Sequence, residues 1–220
     1  MPIVGYILDA VIAYLLGSIP TGFLVGKARG LDIRTVGSGN IGATNVFRAL
    51  GTPAGIFVLA VDALKGWLAV VVFSNLVAAR FWPDGGPLAH EWFRVVAGGT
   101  AILGHNYTCW LWFKGGKGIA TSAGVLVALV PYPLLVILGV WILVFVLSHY
   151  VSLASICASV TLPFATWLLV KTPLLVYVTA GMAALAVYKH KSNIRRLLNG
   201  TEHRIAFKKA PPAGAPNQTS

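Results

Sequence analysis

The sequence predicts an all-α, polytopic transmembrane helix bundle. Three observations carry that expectation: apolar runs of bilayer-spanning length, a composition with 57% hydrophobic and only 10% charged residues, and basic residues gathered at three places along the 220-residue chain. A soluble domain carries about 25% charged residues, because its surface faces water. A shortfall of this size points to lipid as the main solvent. The formal charge of +11 then speaks for orientation and anionic partners in a membrane. No nucleic-acid-binding module is present, so nucleic acid is not an expected partner.

Apolar segments run over residues 3 to 25, 53 to 76, 92 to 113, 119 to 147, 151 to 170 and 173 to 188. A crossing needs about 20 such residues. The first segment lacks a basic flank, has Asp9 as its only early charge and is too long for a signal peptide, so it reads as a retained span. The fourth contains Pro131-Tyr132-Pro133 near its middle. It is one kinked span or two short ones of about 12 to 15 residues.

Charge decides between them. Lys27, Arg29, Arg34 and Arg48 follow the first span, Lys114 and Lys117 follow the third, and Lys189, Lys191, Arg195, Arg196, Arg204, Lys208 and Lys209 follow the last. The positive-inside rule places all three groups in the cytoplasm and the N-terminus outside. That orientation requires an odd number of crossings, so the expected count is seven, with some spans short or re-entrant. The split also makes the segment from Ser148 to Ser152 a cytoplasmic loop. Residues 1–207 are expected to form a single transmembrane domain, and residues 208–220, rich in Pro and Ala, a disordered cytoplasmic tail.

Three polar segments carry chemistry. The first runs from Arg34 to Arg48, with the core Gly37-Ser38-Gly39-Asn40-Ile41-Gly42-Ala43-Thr44-Asn45. Its glycines satisfy G-x-G-x-x-G, but a dinucleotide site needs a preceding strand and a βαβ unit, and neither fits between two membrane helices. What remains is a turning backbone whose N–H groups can approach an oxyanion. Ser38, Asn40, Thr44 and Asn45 add short polar contacts, and Arg48 a fork-shaped cation suited to phosphate. A helix-capping interhelical loop is the alternative reading. The second segment is Gly104-His105-Asn106-Tyr107, then Phe113-Lys114-Gly115-Gly116-Lys117-Gly118-Ile119-Ala120-Thr121. It is not a Walker loop, yet two ammonium groups and successive free backbone N–H groups at a helix start make a phosphate cradle. A basic lipid anchor is its alternative. The third runs from Tyr188 to His203. A last helix continuing through it would carry His190, Asn193 and Leu197 on one face, with Gly200 ending it.

Asp62 and Lys65, three apart inside a span, are expected to pair internally. His90 and His149 read as interfacial polar groups, and Cys109 and Cys157 as inert thiols. His105, beside Asn106 at a polar break, is a functional candidate. The chain lacks a carboxylate cluster for a metal, a G-x-S-x-G elbow, and any acid five residues after a histidine. Metal catalysis and a Ser-His-Asp triad are therefore not expected.

Taken together, the segments resemble one family. Ser-Gly-Asn-x-Gly-Ala-Thr-Asn from Ser38, Gly104-His105 with Phe-Lys-Gly-Gly-Lys-Gly from Phe113, and His-x-x-Asn-Ile-x-Arg-Leu-Leu-x-Gly-x-Glu from His190 are similar to the bacterial acyl-phosphate:glycerol-3-phosphate acyltransferases. Leu15-Leu16-Gly17-Ser18-Ile19-Pro20, Asp62-Ala63-Leu64-Lys65-Gly66 and Tyr150 to Ser155 resemble that family too.

The resemblance implies an integral enzyme of the bacterial inner membrane with its active site on the cytoplasmic face. Such an enzyme moves a fatty acyl group from acyl phosphate to sn-glycerol 3-phosphate, giving lysophosphatidic acid and inorganic phosphate. It implies no cofactor, no metal, and no direct use of acyl-CoA or acyl carrier protein. By the same resemblance Ser38, Asn40, Thr44, Asn45, His105 and Lys117 are the expected catalytic residues. Arg48, Lys114, Gly115, Gly116, Gly118, Ser152, His190, Asn193, Arg196 and Glu202 are expected to bind substrate. The proton of the attacking hydroxyl would go to a substrate phosphate, with His105 as the rival base. The alternative function is an organic-phosphate transporter, which would place ionisable groups along a midplane path.

Overall fold

The computed structural model describes residues 2–205. The tail expected over 208–220 lies outside the described residues. Helix α1 (Pro2–Ser18) breaks at Ile19-Pro20 and resumes as α2 (Thr21–Ala28). A loop over 29–42 leads to the short helix α3 (Ala43–Leu50). Gly51, at φ 85°, is the one-residue corner from which α4 (Thr52–Leu68) starts, with Pro53 in its first turn. A π-helical turn over Ala69–Phe73 joins α4 to α5 (Ser74–Phe81). Then come α6 (Gly86–Asn106), an irregular stretch over 107–118, α7 (Ile119–Leu129), α8 (Pro131–Ser148), α9 (Val151–Leu169), α10 (Pro173–Lys189) and the short α11 (Lys191–Leu198).

No strand occurs among the described residues. Counting α1–α2 and α4–α5 as one passage each, the described residues form six apolar helical passages and the less apolar α6. Four are long and apolar enough to cross a membrane: Ile3–Ala28, Thr52–Phe81, Pro131–Ser148 and Val151–Leu169. Helix α8 has no polar face at all, and Leu135, Leu138, Ile142, Leu143, Val146 and Leu147 are exposed along it. An element that is apolar all round and uncovered requires lipid. The protein is a multi-pass membrane protein.

The structure corrects three expectations. The Pro-split segment divides at Val130, but unequally: α7 has 11 residues, whereas α8 has 18, because Pro131 and Pro133 form its first turn instead of being lost to a loop. The third segment is shifted. Helix α6 starts at Gly86 and stops at Asn106, and the chain turns back through Trp112 and Phe113, both at positive φ. The last helix is not continuous, since α10 ends at Lys189 and His190 is a corner before α11. Gly200 closes α11 as expected: at φ 69° it lets Thr201 N–H reach the Arg196 carbonyl at 2.8 Å.

Small residues set the helix pairing. Gly17 of α1 faces the Ala101 backbone of α6, and Gly104 of α6 faces that of Tyr14. Gly66 of α4 and Gly124 of α7 meet the backbones of Thr121 and Ala63 in the same way. In lipid, where hydrophobicity does not drive helices together, such close backbone approach supplies the packing energy. The α4–α7 pair frames one wall of a cavity. Helices α8, α9 and α10, around a core of Leu126, Val130, Ile137, Leu162 and Leu175, frame the other.

Candidate active site

A cavity of about 500 Å³ lies between these walls, and all three polar segments reach it. In the first segment, Asn45 sets the shape. Its Nδ2 donates to the Ile33 and Val36 carbonyls at 3.0 Å each, and its Oδ1 accepts from Ser38 N–H at 2.9 Å. Asn40 Oδ1 accepts from Gly42 N–H at 2.8 Å. These bonds curl residues 36–42 so that Ser38, Asn40 and Thr44 line the cavity, with Arg48 at its mouth. Asn45 also borders the cavity but is 2% exposed, with both ends of its amide spent on the loop. The structure thus places Asn45, expected to be catalytic, in the wall of the cavity with its amide hydrogen-bonded to the loop. Arg34 turns outward to a paired contact with Asp32 at 2.9 and 2.7 Å.

The second segment is corrected more sharply. Gly115 and Gly116 N–H groups are not free: they donate to the Asn106 and His105 carbonyls at 3.3 and 3.0 Å, folding the loop back on the end of α6. Lys114 is exposed and does not line the cavity, nor do Gly115 and Gly116. Of this segment, Lys117, Gly118 and the start of α7 line the cavity. Lys117 reaches in and donates to Asn193 Oδ1. Burial, before any nearby charge, lowers its ammonium pKa to about 8. Gly116 is packed against the His105 ring, where a Cβ would collide with Nε2. Gly116→Ala is expected to destabilise the protein by about 1–3 kcal/mol and to displace the Lys117 loop. Thermal unfolding in detergent and acyl-transfer rates check this together, and an unchanged melting point would contradict the packing.

In the third segment, His190 closes α10 with Nδ1 2.7 Å from the Ala186 carbonyl, so Nδ1 is the donor and Nε2 the acceptor. Burial first, then the Lys117 charge, pushes the imidazole down to about 4, and it is neutral near pH 7. Glu202, expected to bind substrate, lines the cavity and gathers donors. Oε1 accepts from Ser152 Oγ at 2.8 Å and Asn193 Nδ2 at 2.7 Å, and Oε2 from Arg196 Nε at 2.7 Å. Burial alone would raise this carboxyl, but the three hydrogen bonds outweigh it and hold the pKa below the ordinary value. Arg196 stays outside the cavity lining. The strap over 199–205 is also tied by Arg48 to the His203 carbonyl at 3.1 Å and by Ile205 N–H to the His149 carbonyl at 3.0 Å.

One feature escaped the sequence. Asp62 Oδ1 accepts from Lys65 Nζ at 2.8 Å, as expected, but also from Thr21 Oγ1 at 2.9 Å, and lies 3.7 Å from His105 Nδ1. Thr21 and His105 come from other helices, so no local spacing could have announced their part in the group. Among the described residues, no three His, Cys, Asp or Glu side chains gather as a metal site.

Two properties define the cavity chemically. The N-terminal turns of α3, α7, α9 and α11 all line it, through Thr44, Ala120, Ser152 and Asn193 respectively. Helix N-termini carry partial positive charge and unpaired N–H groups, so this end is built for anions. The opposite end is apolar, lined by Leu126, Leu134, Ile137 and Leu162. Leu59 and Leu138 line the cavity while 51% and 47% exposed, so it opens sideways to the lipid-facing surface.

The family model described as glycerol-3-phosphate acyltransferase matches residues 7–200. A glycerol-3-phosphate acyltransferase of Geotalea daltonii is 48% identical over 191 residues, covering 87% of this chain and 93% of the relative. One from Endomicrobium trichonymphae is 43% identical over 205 residues, covering 92% and 98%. Crystal structures of PlsY, described as an integral membrane glycerol 3-phosphate acyltransferase, are similar at 38% identity. The glycerol 3-phosphate form has a TM-score of 0.80 over 91% of this chain and 96% of that one. The lysophosphatidic acid form has 0.78 over 91% and 95%.

Proposed function

The chain belongs to the glycerol-3-phosphate acyltransferase family, and from that premise we propose that it draws its acyl group from acyl phosphate and reacts at the cytoplasmic face of a bacterial inner membrane. It is an integral membrane acyltransferase that acylates glycerol 3-phosphate to lysophosphatidic acid. The observation that carries the fuller reading is the two-ended cavity. A cationic, amide-lined end opens directly into an apolar end, as a reaction between a phosphate ester and a fatty acyl phosphate requires.

In this reading Lys117 and the start of α7 hold the acyl phosphate and take up charge as phosphate leaves. Ser38, Thr44, Arg48 and His190 Nε2 orient glycerol 3-phosphate, on a frame set by Asn45, Asn193 and Glu202. The primary hydroxyl oxygen attacks the acyl carbon, the C–O bond to phosphate breaks, and the hydroxyl proton passes to a substrate phosphate. A phosphate monoester with a second pKa near ~6 is suited to that role. Acyl phosphate is already activated, so alignment and oxyanion stabilisation suffice. His105, the rival base, has Nδ1 towards Asp62 and Nε2 against Gly116, which favours a supporting role. The charge pattern supports seven crossings with the N-terminus outside, and a single transmembrane domain through residue 207.

Purified protein in lipid, given acyl phosphate and labelled glycerol 3-phosphate without ATP or metal, should form lysophosphatidic acid. Uptake into sealed vesicles without product would overturn the reading in favour of transport. The pH dependence follows from Lys117. Its ammonium is charged below about 8 and neutral above, so kcat/KM for the free enzyme should fall as pH rises through that value. Lys117→Arg should remove this alkaline limb wherever activity survives, and a wild-type profile flat to high pH would contradict the assignment.

A further inference from the structure

We propose that Lys189 is a positioning residue that fixes His190 and Lys117 relative to each other; this rests on the acyl-transfer reading of the cavity. Lys189 is the last residue of α10, and His190 is the corner that follows it. Lys189 Nζ donates to the Asn106 carbonyl at 2.9 Å, at the end of α6, and lies 4.3 Å from the centre of the Tyr107 ring. A cation between a carbonyl oxygen and an aromatic face is held by both. The same carbonyl accepts from Gly115 N–H at 3.3 Å. One oxygen atom is thus shared by two segments, just before Lys117 on one side and just before His190 on the other. The anchor itself is firm. Asn106 is fully buried, and Tyr14 Oη donates to the neighbouring Tyr107 carbonyl at 2.7 Å, which ties this end of α6 to α1.

Where this bond lies matters as much as what it joins. A second tie links the same two segments, from Lys117 Nζ to Asn193 Oδ1. Both of its residues line the cavity, and its ammonium is the one that a substrate phosphate would engage. Lys189 and Asn106 do not line the cavity. Their bond persists while Lys117 exchanges Asn193 for substrate, and it then keeps the α10–α11 corner against the loop. The Lys189 charge also reaches Lys117. Burial lowers the Lys117 ammonium pKa most, Glu202 raises it, and Arg196, Arg48 and Lys189 lower it further. His190, which also faces Lys117, is neutral near pH 7 and adds no charge. Removing the Lys189 charge therefore shifts the Lys117 titration towards higher pH.

The test uses the full-length protein in lipid nanodiscs, with palmitoyl phosphate and labelled glycerol 3-phosphate, and follows kcat/KM across pH beside the melting point. Lys189→Met should lower kcat/KM by about 10- to 100-fold, the loss that follows when reacting groups are misplaced by about 1 Å. It should also move the alkaline limb of the profile to higher pH. Lys189→Arg keeps the charge and the donors, and should return both the rate and the limb close to wild type. Should Lys189→Met fail to fold, Lys189→Gln takes its place: it lacks the charge but keeps an N–H donor, so the limb should move as far with a smaller loss of rate. A neutral variant with wild-type rate and limb would overturn the proposal while the acyl-transfer reading stands. So would a variant that loses activity only in step with its folded fraction and keeps the wild-type profile. Wild-type protein that forms no lysophosphatidic acid would instead remove the acyl-transfer reading itself.

Discussion

Lys117→Met is expected to lower kcat/KM for acyl transfer by about two to three orders of magnitude, the usual loss when a donor preorganised for transition-state charge is removed. Among the described residues, Lys117 is the one lysine that lines the cavity. Glu202, Arg196, Arg48 and Lys189 lie close enough to act on its charge, but of these only Arg48 and Glu202 also line the cavity. Methionine keeps the length and apolar stem, so the packing around Gly116 and His105 should survive, with a melting point close to wild type. Lys114→Met, at an exposed position outside the cavity, should change kcat/KM by less than about threefold. Steady-state kinetics of both variants side by side check the pair. Equal losses would mean that the two-lysine cradle suggested by the sequence operates after all.

Asp62→Leu should cost about 3–5 kcal/mol of stability, because it strands the Lys65 ammonium in the bundle. Lys65 would keep only the Ile19 carbonyl at 2.9 Å, and Thr21 would lose its acceptor. The double variant Asp62→Leu/Lys65→Met removes both charges and should recover most of that loss. Denaturation in detergent measures the stability of all three proteins. The kinetics then separate two roles. If the stable double variant is active with an unchanged KM, the group only braces the fold. A stable double variant with depressed kcat shows that Asp62 orients His105 for catalysis.

The bundle and its polar face were legible because their causes are compositional. Lipid excludes charge from long stretches, and anion sites need glycine, small polar residues and cations at helix starts. Ser38, Lys117, Ser152, His190 and Asn193 meet in the cavity as the motifs suggested. Which way a motif residue faces was not legible. Lys114 and Lys117 are equivalent on paper, and only the pairing of Gly115 and Gly116 with the end of α6 turns one out and the other in. By the resemblance Asn45 was expected to be catalytic and Glu202 to bind substrate. Both line the cavity, and their hydrogen bonds to other parts of the site depend on the folded chain. The break at His190 lacks glycine or proline to mark it, and the proximity of Asp62 to His105 depends wholly on α4 and α6 meeting in three dimensions.

The Glu202 anchor bears on how the enzyme comes into being. Ser38 is translated early and Glu202 late, yet Ser152, Asn193 and Arg196 all look to that one carboxylate for an acceptor. During biosynthesis the earlier helices can enter the bilayer and associate while this pocket is still open and unbraced. A chain that stops short of Glu202 leaves Ser152, Asn193 and Arg196 without that acceptor, so partly made copies left in the membrane by stalled ribosomes should be catalytically silent.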